Sequence, residues 1–391
     1  MISRWKFIGM FLMASFFGLV AVVITSQRTL VGASLAARAA SVSMRGQPQF
    51  YAQHNILSDI PGLADHTDAN VANAWGLDSG PTTPWWISDN GTGKSTLFNV
   101  GTDAIQATFT VPGAGGAQGN PTGLIFNGGS GFVVNNGAGS SAARFIFSSE
   151  DGTISAFRGN PIVTVVPNTN APAHDAIYKG LAIDSRTAGQ HLYATDFHNG
   201  KVDVFDTSFH LVTLSGNFID PNLPAGFAPF GIQNIGGTLY VTYALQDEDA
   251  EDDAAGPGNG FVDAFDLDGN LIQRVASAGE LNSPWGLALA PEGFGRFRGD
   301  LLVGNFGDGR IHAFDPTTLT SDGEFEAVGL LHSAAGRPIQ IDGLWALQFG
   351  HGTNAVGANG LTTTLFFTAG PSDEDHGLFG SIVLTEPPGR Q

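Results

Sequence analysis

The stretch AWGLD, residues 74–78, is an apolar run of strand length built around a Gly-Leu step. The step returns in PTGLI at 121–125, YKGLA at 178–182, PFGIQ at 229–233, PWGLA at 284–288 and IDGLW at 341–345. Its glycines, at positions 76, 123, 180, 231, 286 and 343, are 47, 57, 51, 55 and 57 residues apart. A spacing this regular is an internal repeat, and a repeat decides the architecture before any local motif does.

Each step is followed by a second short apolar run. These are WWISD (85–89), FIFSS (145–149), LYATD (192–196), LYVTY (239–243), LLVGN (301–305) and LFFTA (365–369). A third run then opens on glycine: GKSTLF (93–98), GTISAF (152–157), GKVDVF (200–205), GFVDAF (260–265), GRIHAF (309–314) and GLFGSI (377–382). A looser fourth follows, as in IQATFTV (105–111), LVTLSGNF (211–218) and NLIQRV (270–275). Four strands repeated about every 50 residues describe a β-propeller blade. The expected fold is therefore all-β, a six-bladed β-propeller with four antiparallel strands per blade. The last unit has no fourth strand of its own, and QHNILSD (53–59) precedes the first unit without a partner. That segment is expected to close the ring as the outer strand of blade six, because closure removes free strand edges.

The repeat also settles a misleading motif. SDNGTGKST, residues 88–96, resembles a phosphate-binding P-loop, but Ser88 stands where the first glycine belongs and TLFNV follows in place of a helix. Lys94 aligns with Thr153, Lys201, Phe261 and Arg310, the residues after the other turn glycines, so it reads as the first residue of a third strand.

The composition agrees with many tight turns: 54 of the 391 residues are glycine and only 14% are charged. Cysteine is absent, which excludes disulfides and thiolate zinc sites. Arg4 and Lys6 precede the apolar run 7–24, so residues 1–24 read as a cleaved secretory signal or, second, a retained single-span anchor. Both readings make the protein exported, to the cell envelope or beyond it. Residues 25–50 lack periodicity and are expected to be a disordered spacer, leaving 51–391 as one propeller domain. All 36 acidic residues fall beyond position 50, against 12 basic ones there. Such a body repels nucleic acid and anionic membrane surfaces, so membrane contact is expected only through an uncleaved N-terminal segment.

In a propeller the starts of the inner strands and the ends of the second strands share one mouth of the central channel. Asp89, Ser149, Asp196, Tyr243, Asn305 and Ala369 then form a ring there. The candidate ligand-binding residues are Asp89, Asn90, Asp196, Tyr243, Asn305 and Phe306. Asp and Asn at strand ends also cap turns through their own backbone, which accounts for most such residues without a ligand. The sharper reading is that Asp89, Asp196, Asn305 and Asp342 converge on a divalent cation, and oxygen donors of this kind suit Ca²⁺. Trp75, Trp285 and Trp345 read as packing between blades before they read as sugar platforms. His66 and Asp68 fit either a catalytic pair or the ordering of the loop into blade one. The run DEDAEDD, 247–253, lacks EF-hand spacing and reads as a solvated loop, with weak Ca²⁺ binding as the second reading. Neither a Gly-x-Ser-x-Gly elbow nor a His-Glu-x-x-His motif occurs.

With WGL, SDNGTG, GNFGDG, DGLW and FTAGP on the page, the chain resembles an uncharacterised family of exported bacterial six-bladed propellers, distantly similar to NHL-repeat propellers. The resemblance runs from HNILSDIPGLADHTDANVANAWGL to DEDHGLFGSIVL. It implies the fold and brings no activity or ligand with it. The acidic insertion at 247–253 departs from that family's mixed basic and acidic pattern. Gluconolactonase-like propellers are similar at fold level only, since their metal ligands match no residues here one by one. The leading expectation is a monomeric binding or interaction scaffold for a small molecule, carbohydrate or protein. The alternative is a divalent-metal-dependent hydrolase of lactones or sugar esters at the channel mouth, and the third is carbohydrate binding through Phe197, Tyr243 and Phe306.

Overall fold

The Gly-Leu step marks where neighbouring blades come closest. In the computed structural model, which describes residues 49–167, 175–184, 186, 189–352 and 358–385, a methyl group on Gly76 would lie 2.2 Å from the carbonyl oxygen of Thr122 in the next blade. On Gly231 it would lie 2.3 Å from that of Trp285, and on Gly286 2.5 Å from that of Trp345. A side chain does not fit at such distances, so inner strands pack around the axis with glycine at the contact.

Six antiparallel sheets surround that axis. Blade one comprises Ala74–Asp78, Trp85–Asp89, Lys94–Asn99 and Ala104–Thr110. Blades two to five repeat the order from the inner strands Pro121–Phe126, Tyr178–Ile183, Phe227–Ile235 and Pro284–Leu289. Blade six is Leu344–Phe349, Leu365–Ala369 and Leu378–Thr385, completed by Phe50–Ser58 from the chain's other end. The ring closure is thus as expected, although the closing strand starts at Phe50, inside the expected spacer, because Phe50 and Tyr51 pair with Thr385 and Leu384. Residues 1–24 and the spacer up to 48 lie outside the described residues. Lys94 opens a third strand after a left-handed Gly93 (φ 61°), which retires the P-loop reading.

Every inner strand carries one extra residue against its partner. Ala74 and Leu77 face Asp89 and Ile87, Tyr178 and Leu181 face Asp196 and Ala194, and Leu344 and Leu347 face Ala369 and Phe367. Such a bulge re-aims a side chain and tightens the twist. The register also corrects the repeat in blade six: Trp345 and Ala346, rather than Asp342 and Gly343, occupy the places of Trp75 and Gly76.

The core is six interblade layers. In the second strand of blade one, Trp85 and Ile87 pack toward Phe366 and Phe379 of blade six, while Trp86 packs toward Phe145 and Phe147 of blade two. Period-two alternation thus points both faces of one strand into apolar layers, so second strands read as nearly unbroken apolar runs. At about 1.5–3 kcal/mol for each fully buried large apolar side chain, these layers supply the main driving force for the ring.

Candidate functional site

At the predicted mouth one residue of each inner strand falls at the bulge: Trp75, Thr122, Lys179, Phe230, Trp285 and Trp345. Aromatic rings fill much of the mouth. Trp75 stacks on Trp345 with centroids 3.8 Å apart, and Phe306 stacks on Trp345 at 4.0 Å. Trp285 meets Trp345 edge-on at 6.0 Å, and Phe230 tilts against it at 5.7 Å. The indole N–H of Trp345 donates to Asn73 Oδ1 at 3.0 Å. Trp75 and Trp345 are packing elements stacked face to face, while Trp285 meets Trp345 only at an edge and is partly buried.

Lys179 is the exception in the ring, a cation with 1% of its side chain exposed. Its Nζ donates to Glu150 Oε1 at 2.6 Å and Asp252 Oδ1 at 2.8 Å, and lies 5.0 Å from the Trp75 ring centroid. Burial opposes its charge, yet Glu150 and Asp252 outweigh burial and hold the ammonium above its ordinary pKa. The network continues as Asn90 Nδ2 donates to Glu150 Oε2 at 2.9 Å and Asn73 Nδ2 donates to Glu374 Oε2 at 2.6 Å. Burial pushes the Glu374 carboxyl up to about 7. Glu374 sits in a tense turn, since Ser372, Asp373 and Glu374 all have positive φ, at 61°, 54° and 67°.

Asp252 belongs to the acidic insertion, which is largely solvated as expected, with 247–249, 251 and 252 exposed, and which sends this carboxylate to Lys179. The insertion folds back over the mouth, with Gln246 and Asp253 bridged and the carbonyl of Ala250 at 3.2 Å from His198 Nδ1. Burial raises the Asp253 carboxyl to about 6.

The expected ring of second-strand ends exists in register, as Asp89, Ser149, Asp196, Tyr243, Asn305 and Ala369 each pair with the start of an inner strand. The hydrogen bonds that Asp89, Asp196 and Asn305 make stay within their own blades and adjoining loops, while Asp89 Oδ1, Ser149 Oγ and Asn305 Oδ1 are buried with no hydrogen-bond partner among the described residues. Asp89 Oδ2 accepts from the Thr96 hydroxyl at 2.6 Å, and burial drives its carboxyl well above the ordinary range. Asp196 accepts from Asn199 Nδ2 at 2.9 Å, and burial raises it too. Asn305 Nδ2 donates to the carbonyl of Glu280 at 2.8 Å. Asp342 is exposed and accepts from the amide of Ser372 at 2.9 Å. Among the described residues no three His, Cys, Asp or Glu side chains are grouped to hold a metal ion, so this donor set does not fit the expected divalent cation. Asp196 caps a turn, accepting from the amide of Asn199 at 3.2 Å, whereas Asp89 makes no side-chain cap. Tyr243 turns into the apolar layer between blades three and four, and Phe197 is fully buried, so neither offers a platform for a sugar. Asn90 and Phe306 do lie at the mouth, joined to the Lys179 network and the aromatic stack. His66 pairs with Asp103 at 2.9 Å and Asp68 caps Asn70, so both order loops.

Below the aromatic ring, the residues after the Gly step form an apolar collar. Leu77, Leu124, Leu181, Ile232, Leu287 and Leu347 line one void of only 20 Å³. The channel therefore has two separate ends. At the far end lies a cavity of 730 Å³ whose walls come from blades one, two, three, four and six. Gln233 Nε2 donates to Gln348 Oε1 at 3.2 Å, and Gln348 Nε2 donates to Asp78 Oδ1 at 3.3 Å. Asp78 also accepts from the amides of Ser79 at 2.7 Å and Phe126 at 2.6 Å, while burial pushes its carboxyl up to about 7. Beside it, Asp184 is paired with Arg186 at 2.7 Å, which also reaches Asp268 at 2.9 Å.

Sequence reasoning missed this belt. Asp78, Gln233 and Gln348 occupy one repeat position, next to the collar residues Leu77, Ile232 and Leu347, where the other blades place Ile125, Ala182 and Ala288. The polar ends of AWGLD and PFGIQ were the signal, and the three-residue misalignment in blade six hid Gln348.

No protein-family model matches the chain. A protein of unknown function from Bacteroides thetaiotaomicron has a solved structure that superposes on 86% of this chain and 77% of its own, with a TM-score of 0.52 and 13% identity. That likeness concerns the fold alone. Among sequences, the uncharacterized protein L690 of Acanthamoeba polyphaga mimivirus is 32% identical over 341 residues, 84% of this chain and 84% of its own length. The uncharacterized protein R648 of the same virus is 33% identical over 335 residues, 84% of this chain and 78% of its own. The chain belongs to the family that these two mimivirus proteins represent.

Proposed function

We propose that this protein is an exported binding propeller that holds a small polar ligand in the cavity at the far end of its channel. One observation carries the reading. Five blades converge on a 730 Å³ space with an amide and carboxyl belt across its floor, whereas the opposite mouth is filled by the protein's own rings and by Lys179. The volume falls within the roughly 300–1,000 Å³ typical of small-molecule sites, and a concave space with a few converging polar groups is where such ligands bind. Binding needs no nucleophile and no metal, so it agrees with second-strand carboxylates whose hydrogen bonds go to neighbours in their own blades.

The test uses the full chain against a mixed panel of saccharides, amino acids, nucleosides and small carboxylates, with ligand-observed NMR as the readout. Binding that is lost in Gln348→Met and kept in Asn90→Ala supports the reading, provided both variants melt cooperatively. Binding lost in Asn90→Ala and kept in Gln348→Met moves the site to the Lys179 mouth and overturns it. No saturable binder across the panel also overturns it.

A further inference from the structure

We infer that the far cavity is a saccharide site, in which the Asp78–Gln348–Gln233 belt hydrogen-bonds the hydroxyls of a neutral sugar. The inference rests on the binding reading above and specifies its ligand class.

The belt has a direction. Gln233 donates to Gln348, and Gln348 donates to Asp78, at 3.2 and 3.3 Å. Both distances are at the long end for hydrogen bonds, so a ligand exchanges with them at low cost. Each amide uses one of its two N–H groups there, and the carbonyl oxygen of Gln233 makes no hydrogen bond within the described residues. Donors and acceptors are therefore presented side by side. A sugar hydroxyl, which donates and accepts at once, matches such a row.

Charge narrows the class further. Arg186, the cation among the described residues that line the cavity, is already shared between Asp184 and Asp268, so no free positive group in that lining awaits an anion. Asp78 is the lining acid without a cationic partner among the described residues, and in its ionised form it opposes anionic ligands. It is also satisfied by the amides of Ser79 and Phe126 and by Gln348, so it has little to gain from a ligand ammonium. A neutral ligand remains.

The walls complete the match. Ile125, Phe126 and Ile183 give the cavity an apolar side, with Phe126 only partly buried. A pyranose has an apolar C–H face and a polar rim, and aromatic rings serve such amphipathic contacts. The rim includes the Gly236–Gly237 turn, with φ of 63° and 90°, where no side chain screens the peptide groups.

The test is calorimetric titration of the full chain with a monosaccharide and oligosaccharide panel, beside per-O-methylated sugars and simple alkylamines. Saturable binding of a free sugar, abolished by O-methylation and weakened about fivefold in Gln233→Leu, is expected, since losing a ligand hydrogen bond at an amide costs on the order of 1 kcal/mol. Phe126→Leu keeps an apolar side chain at a partly buried position and separates loss of ring contact from misfolding; it should weaken sugars and leave the melting temperature near wild type. If alkylamines or another class bind at Gln233 and Gln348 while sugars do not, the saccharide inference falls and the binding reading stands. If nothing binds at these residues, both fall.

Discussion

The ammonium of Lys179 stands 5.0 Å from the centre of the Trp75 ring, with Glu150 and Asp252 closing over it. Three blades and the acidic insertion meet in that contact. Its energetics are asymmetric. Lys179 is 1% exposed, whereas the Glu150 and Asp252 side chains are 28% and 68% exposed. Removing the carboxylates leaves a buried charge with no partner, a change that typically costs about 3–5 kcal/mol. Removing the lysine leaves two acids that regain water. The double variant Glu150→Gln/Asp252→Asn is therefore expected to lose more stability in urea denaturation than Lys179→Met. Equal losses would show that the lysine is not held as a buried cation.

The inner ring predicts a second asymmetry. Gly76→Ala and Gly231→Ala place a methyl against backbone carbonyls at 2.2 and 2.3 Å, where nothing flexible can yield. Overpacking of this kind costs about 1–3 kcal/mol or more. Blade six carries Ala346 at the equivalent place, so its gap already accepts a methyl. Ala346→Gly is expected to cost about 1 kcal/mol or less, a glycine penalty without a clash. Thermal unfolding of the three variants measures the difference.

Acidity gives a third expectation. Burial raises the carboxyls of Asp78, Asp263 and Glu374 to about 7 and that of Asp253 to about 6. The folded state then binds more protons than the unfolded state between about pH 4 and 7, so stability falls as pH rises through that window. These groups contribute most below their unfolded values and nothing further is lost above their folded ones. Denaturation midpoints should be higher at pH 5 than at pH 8, with Glu374→Gln reducing the difference. A midpoint that rises steadily from pH 5 to pH 8 would contradict the assignment.

Ring closure gives a fourth. Phe50–Ser58 covers the edge of Leu378–Thr385, which would otherwise present unpaired backbone groups. A chain lacking residues 50–58 is expected to associate or aggregate, as read by light scattering. A stable monomer of wild-type melting temperature would show that closure is dispensable.

The fold was legible because strand ends and blade spacing are written in short-range patterns. WWISD, FIFSS, LYATD and LLVGN are strands over the residues expected. LVTLSGNF shrank to Leu211–Val212, since Asn217 and Phe218 take positive φ and leave the strand. The site was less legible for a physical reason. A strand-end Asp looks the same in sequence whether it caps a turn, as Asp196 does with Asn199, or faces an axis, as Asp78 does. The difference lies in the bulge, which decides which side chain turns inward. The Gly343 step also misled, because its Cβ position lies against Gly370, in a turn outside the inner strand.

The proposed ligand site is the collar's far side, on Gln233 and Gln348. The most direct measurement is a crystal structure of the full chain with a saturating free sugar. A sugar is expected within hydrogen-bond distance of both glutamine side chains, with the Lys179–Glu150–Asp252 contact unchanged. A sugar seated instead at the Trp345 and Lys179 mouth, with the far cavity empty, would contradict it.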